Sequence, residues 1–223
     1  MEATSRPGRI VGALILAQMV GSVLVNFVLT APLFGTPGFL VSAAAHPRRI
    51  GISVLLGLAI GAISLAIAIT AFPVFRPRSQ AMTLWFFALG VVSLALAVVE
   101  QMNVMSMLSL SQAYAKTGVA DRESFQALRG VVAASRNWAH FVGLIVGGCT
   151  HFVLYAVLYR FALIPRALAA FGLVAVLLQI TAVSMPLFGH DVVFPLLAPM
   201  GVSQLALALW LLTKGFRDVP GER

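Results

Sequence analysis

The sequence predicts an all-α, polytopic membrane protein: a bundle of about six transmembrane helices, with an amphipathic helix in one outer loop. Three observations point there. Hydrophobic residues make up 60% of the 223-residue chain, charged residues only 10%, and the mean hydropathy is +0.98. A soluble domain carries roughly 25% charged residues, because it must present them to water. Six apolar runs, at about 9–33, 50–75, 82–107, 137–161, 168–188 and 193–213, are each long enough to cross a hydrocarbon core of about 30 Å. Finally, the net charge of +8 and the pI near 11.1 come from Lys and Arg residues placed mostly in the connections between those runs. Basic residues so placed set topology and form no patch for nucleic acid. One transmembrane domain, 1–223, accommodates all of this.

The first run follows Arg6 and Arg9 as a signal peptide would, but its apolar part is too long for a signal and no small-x-small cleavage site follows, so it reads as a retained helix. The second run carries Gly57 and Gly61, a small-residue face for another helix. A tight turn with Pro77 leads to the third run, which contains Glu100. The outer loop 108–136 follows. Within it, Ala120 to Arg136 reads as an amphipathic helix with Asp121 as N-cap and Phe125, Leu128, Val131 and Val132 on one side, suited to the membrane surface or to lidding the bundle. The fourth run brings His140, Gly143, Gly147 and His151 onto one stripe at about 100° per residue. A second tight turn, with Pro165, precedes the fifth run. Pro195 and Pro199 predict a kink in the outer half of the sixth. Pro32-Leu33-Phe34-Gly35 recurs as Pro186-Leu187-Phe188-Gly189, too short an echo to establish a duplicated half.

Charge by side gives the orientation. With the N-terminus inside, Arg6, Arg9, Arg76, Arg78, Arg160, Arg166, Lys214, Arg217 and Arg223 are cytoplasmic, nine of the 15 basic residues. Arg48, Arg49, Lys116, Arg122, Arg129 and Arg136 are outside, where Asp121 and Glu123 dilute them. Both termini are therefore expected in the cytoplasm. Trp85, Tyr159 and Trp210 at the inner interface and Trp138 at the outer one fit the same frame. The inner turns are tight and the outer connections longer, so a site would open outward.

Polar side chains inside apolar runs are where chemistry is sought, since lipid leaves them nothing else to bond. Glu100 is the one carboxylate within a span, with Ser93, Ala97 and Asn103 on its face. His140 shares its expected depth with Glu100, Asn26, Asn103 and Asn137. Glu100, Asn103, His140, Asn26, Gly143, Gly147 and His151 are thus the candidate ligand-binding residues, the glycines leaving room for a flat ligand or a neighbouring backbone such as the Gly57–Gly61 face. Ordinary helix packing explains the same glycines. His46, His140 and His190 could serve as metal ligands beside Glu100, but none of them shows the ligand spacing of a known metal motif. The single cysteine, Cys149, admits neither an intramolecular disulfide nor a thiolate cluster. Met102, Met105 and Met107 do not share a helical face and read as packing residues. His151 has no histidine partner at its depth, against a bis-histidine haem. Gln18, Gln179 and Gln204 lie mid-span and read as hydrogen-bonding glue between helices. No cofactor is named by any of these residues.

Arg6-Pro7-Gly8-Arg9-Ile10-Val11-Gly12, SMLSLSQAYA from Ser106, RNWAH from Arg136, FVLYAVLYRF from Phe152 and MPLFGHDVVF from Met185 together resemble the bacterial membrane family catalogued as domain of unknown function 4386. The resemblance covers nearly the whole chain. It implies a multi-pass protein of the bacterial inner membrane and carries no catalytic residues with it. By elimination of nucleotide loops, thiolate clusters and Ser-His-Asp arrangements, the expected function is non-enzymatic: an outward-facing pocket for a small apolar or amphipathic ligand, or for a partner, in a carrier, sensor or accessory subunit. The competing expectation is a membrane-embedded metal-dependent enzyme using the outer histidines and Glu100; a proton-coupled transporter is a third. Beyond the lipid bilayer, the partners compatible with the small-residue faces are a second copy of the chain or another membrane protein.

Overall fold

The computed structural model describes residues 2–116 and 122–217, which are mainly helical and contain no strand. The long helices are α1 (Glu2–Val23), α4 (Pro47–Phe75), α5 (Gln80–Lys116), α6 (Arg122–Arg160), α7 (Arg166–Ser184) and α8 (Ala198–Lys214). Two single turns, α2 (Ala31–Phe34) and α3 (Phe39–Ser42), lie between α1 and α4. Six helical segments among the described residues are long and apolar enough to cross a membrane: Ser5–Leu29, Pro47–Phe75, Gln80–Lys116, Glu123–Arg160, Arg166–Phe188 and Phe194–Lys214. The chain is a multi-pass membrane protein.

Helix ends fall where the chain chemistry demands. Pro165 precedes α7, and residue Gly189 at φ 78° closes the turn Met185–Phe188 that extends it. Gly215 at φ 69° ends α8. Between α1 and α2 the helix widens into a π-helical segment, Leu24–Leu29, whose closing bond runs from Thr30 N–H to the Val25 carbonyl at 3.0 Å.

Three sequence expectations change in the structure. The outer loop 108–136 is helical wherever it is described: α5 continues to Lys116 and α6 begins at Arg122, so these two helices are 37 and 39 residues long. At 1.5 Å per residue these helices reach about 55 to 58 Å, well beyond a hydrocarbon core. Neither contains a proline to stop it, and Tyr114 on one meets Phe125 on the other with ring centroids 5.8 Å apart. Second, the amphipathic segment is the first part of α6 and only part of its apolar side is covered by protein. Phe125, Val132 and Ala133 pack on a cluster of Leu33, Phe39, Leu40, Ala43, Ile50, Val104, Met107 and Leu108, whereas Leu128 (49%) and Val131 (68%) stay exposed. Asp121, the expected N-cap, lies outside the described residues. Third, the prolines expected to kink the outer half of the sixth helix lie at its start instead. Pro195 lies in the 3₁₀ turn Phe194–Leu197 and Pro199 in the first turn of α8, where its missing N–H costs no helical bond.

The residues group into two compact units. Unit 1 comprises Met1–Gln18, Ile63–Ser93 and Gly143–Arg223. Its core holds Val11, Ile15, Ala71, Phe75, Phe86, Tyr155, Leu158, Ile164, Leu207, Leu211 and Phe216, with Phe75 meeting both Phe86 and Phe216 at 5.8 Å between ring centroids. Close approach of α1 to α8 depends on Gly12, where a Cβ would lie 2.8 Å from the Ala208 carbonyl oxygen. The Tyr155 ring of α6 occupies the space beside Gly172 of α7, and Ile180 of α7 that beside Gly148. The beginning and end of the described chain meet: a Cβ on Gly8 would strike the backbone of Phe216, and one on Gly215 that of Ser5. Unit 2 comprises Met19–Ala62 and Leu94–Val142. Its apolar cluster is the one that receives Phe125 and Val132. There the Ser111 hydroxyl donates to the Leu40 carbonyl at 3.1 Å and accepts from Ala44 N–H at 2.8 Å, tying α3 to α5. The Gly57–Gly61 face does receive a helix, but that helix is α5, through Gln101, Ala97 and Leu94.

Candidate functional site

In unit 2 the spacing of three polar side chains on α5 and α6 makes one cluster. Arg136 and His140 are four residues apart, hence on one face of α6. Both reach Glu100 of α5: Arg136 Nη2 and His140 Nδ1 each lie 2.9 Å from the same carboxylate oxygen, Oε1. With Glu100 ionised, both nitrogens donate, which puts an imidazole proton on Nδ1. The side chains of Arg136, Glu100 and His140 are 8%, 19% and 24% exposed. Arg136 also lies over the Phe34 ring, 4.6 Å from its centroid, while its Nε is buried without a hydrogen-bond partner. One helical turn on, Ser135 donates to Asn103 Oδ1 at 2.7 Å, and Asn103 Nδ2 donates to the Val99 carbonyl at 2.9 Å. The polar residues therefore form two rungs between α5 and α6, one ionic and one neutral.

Of the candidate residues that the sequence singles out, Glu100 and His140 meet directly and Asn103 lies one turn away. Asn26 does not join them: it is exposed, and its amide donates to the Ser22 carbonyl of its own helix at 2.9 Å. Gly143, Gly147 and His151 belong to unit 1. Beside Gly143 and Gly147 the space is open, so these glycines are not sites where another described element presses on α6. His151 instead contacts Gln204 of α8, with 2.5 Å between the two Nε2 atoms.

Arg136 is the residue that sequence reasoning misses. It stands just before an apolar run, where a basic residue reads as one more outer-loop charge. The signal that could find it is its i, i+4 relation to His140, together with the need of a lone membrane carboxylate for a cation.

Each histidine of the candidate metal set has its own local surroundings. His46 is exposed, with Nδ1 3.1 Å from the Ser42 carbonyl of its own turn; His140 is bonded to Glu100; and His190 is exposed. Among the described residues no group of three or more His, Cys, Asp or Glu side chains is placed to hold a metal ion. What the cluster in unit 2 can do is hold charge. A carboxylate shared by a guanidinium and an imidazole can exchange either partner for a polar group of a ligand.

Comparison with known proteins adds a family and no activity. No curated protein and no solved structure matches the chain. The model of a family described as a domain of unknown function, DUF4386, matches residues 10–215. The match takes in five of the apolar helices whole, most of the first and the Glu100–Arg136–His140 cluster, and by it the chain belongs to the DUF4386 family.

Proposed function

We propose that this chain is a non-enzymatic membrane protein that binds a small amphipathic molecule at the Glu100–Arg136–His140 cluster, acting as a carrier, sensor or accessory subunit. The observation that carries the reading is the shared Oε1 of Glu100, bonded to both Arg136 and His140 at 2.9 Å within segments otherwise suited to lipid. Charged groups there are costly, and a packing contact alone is made more cheaply by the Ser135–Asn103 type of bond. A ligand's polar end would take up the bonding capacity of Arg136 Nε and the second Glu100 oxygen. Its apolar part would lie along exposed apolar side chains of α5 such as Val99, whose carbonyl already bonds Asn103.

The proposal includes a setting: the bacterial inner membrane, both termini in the cytoplasm and the cluster toward the outer side. Supporting the orientation, nine of the 15 Lys and Arg residues fall at the two ends of the sequence and in the two tight turns expected inside.

The test is mass spectrometry of molecules co-purifying with the protein from its native membrane, compared with Glu100→Gln and His140→Ala variants. A discrete amphiphile retained by the wild type and lost at least tenfold in both variants is expected. Identical lipid profiles in all three proteins would remove the ligand reading and leave the cluster as a helix clamp.

A further inference from the structure

Unit 1 contains a second polar centre, built from α6, α7 and α8, that the proposed site does not use. At its heart Gln204 Nε2 lies 2.5 Å from His151 Nε2. An amide nitrogen only donates, so His151 Nε2 must accept, and the neutral ring carries its proton on Nδ1. That Nδ1 is buried and has no hydrogen-bond partner among the described residues. On α7, Gln179 Oε1 is likewise buried without a donor.

The two unmet groups lie at similar depth. Gly148 faces Ile180, and Gly172 faces Tyr155, so α6 and α7 run antiparallel in a fixed register. That register puts Gln179 within one helical turn of His151, roughly 4 Å along the axis. A buried polar group left unpaired loses the hydrogen bonds it made to water in the unfolded chain, so each of the two calls for a partner. Neighbouring polar groups are already satisfied, Tyr155 with Ser203 at 3.0 Å and Ser93 with Thr150 at 3.3 Å.

We propose that His151, Gln179 and Gln204 form an internal site for one hydroxyl group. The donor His151 Nδ1–H and the acceptor Gln179 Oε1 together call for a ligand atom that accepts one hydrogen bond and gives one. A carbonyl would leave Gln179 unmet, and an ammonium would leave His151 unmet; a hydroxyl satisfies both. Its source is either a water molecule or the alcohol group of an amphiphile. Gln204 is the positioning residue, since its amide sets the imidazole tautomer.

The test is solid-state NMR of protein labelled with ¹⁵N-histidine, the His151 resonance being identified by its loss in His151→Asn. One sample is prepared in nanodiscs of phosphatidylcholine, which has no hydroxyl, and another with native lipids retained. The proposal expects His151 protonated on Nδ1 and rapid magnetisation transfer to that proton from a hydroxyl. Transfer in both samples identifies water; transfer only with native lipids identifies an amphiphile. Gln179→Met is expected to abolish the transfer with the tautomer kept. A ring protonated on Nε2, or no hydroxyl transfer in either sample of the wild type, would overturn the proposal.

Discussion

Glu100 is held by two cations or donors on one oxygen, and Arg136 is the more deeply buried partner. Removing the carboxylate charge strands a buried guanidinium, a loss of roughly 3 kcal/mol when a buried pair is broken from one side. Glu100→Gln is therefore expected to lower the apparent melting temperature in detergent sharply. The double variant Glu100→Gln/Arg136→Gln is expected to recover part of the loss; additive losses in that cycle would mean the two side chains are not coupled. Glycines give a second contrast at this scale. Gly172→Ala forces a methyl group into the Tyr155 ring and is expected to cost about 1–3 kcal/mol, whereas Gly147→Ala adds one in open space and should stay within about 0.5 kcal/mol. The same thermal measurement checks both, and equal effects would contradict the packing described.

Among the elements, the consequence lies in α6. Its first turns form a helix whose inner side rests on α3 and α5, so reactivity along it should follow helical periodicity. In a Cys149→Ser background, single cysteines at Leu128 and Val131 are expected to react readily with a water-soluble maleimide, and those at Phe125 and Val132 slowly. Uniform labelling across 125–132 would indicate a loose loop. Reactivity of all four only with lipid-soluble reagents would restore the membrane-surface helix, one of the two placements that the apolar spacing suggests. The prolines carry a related lesson: a proline in an apolar run reads as a kink, but Pro199 sits in an opening turn and α8 simply starts later than hydropathy implies.

For the molecule as a whole, the decisive property is topology. Gly8 lies against Phe216 and Gly215 against Ser5, so the two ends of the described chain meet, which agrees with an even number of crossings that leaves both on one side. Reporter fusions after Lys214 and before Ser5 are expected to report the cytoplasm, and a reporter inserted next to Lys116 the opposite side. A C-terminal fusion reporting the outside would invert the frame used for the site.

Much of this is legible in the sequence by itself. Composition and span length dictate the all-helical, multi-pass class, because lipid offers backbone N–H and C=O groups no partner except within a helix. Glu100 and His140 are legible as well, since a charged or titratable group in an apolar run must find a partner. Their partners are not. The Arg136–Glu100 pair, the His151–Gln204 contact and the seating of Gly57 against α5 depend on the rotation and register of one helix against another. Those angles arise from many small side-chain contacts summed across residues far apart in the chain. Hydropathy averages such contacts away, so only the folded arrangement could assign which polar groups meet and which remain unmet.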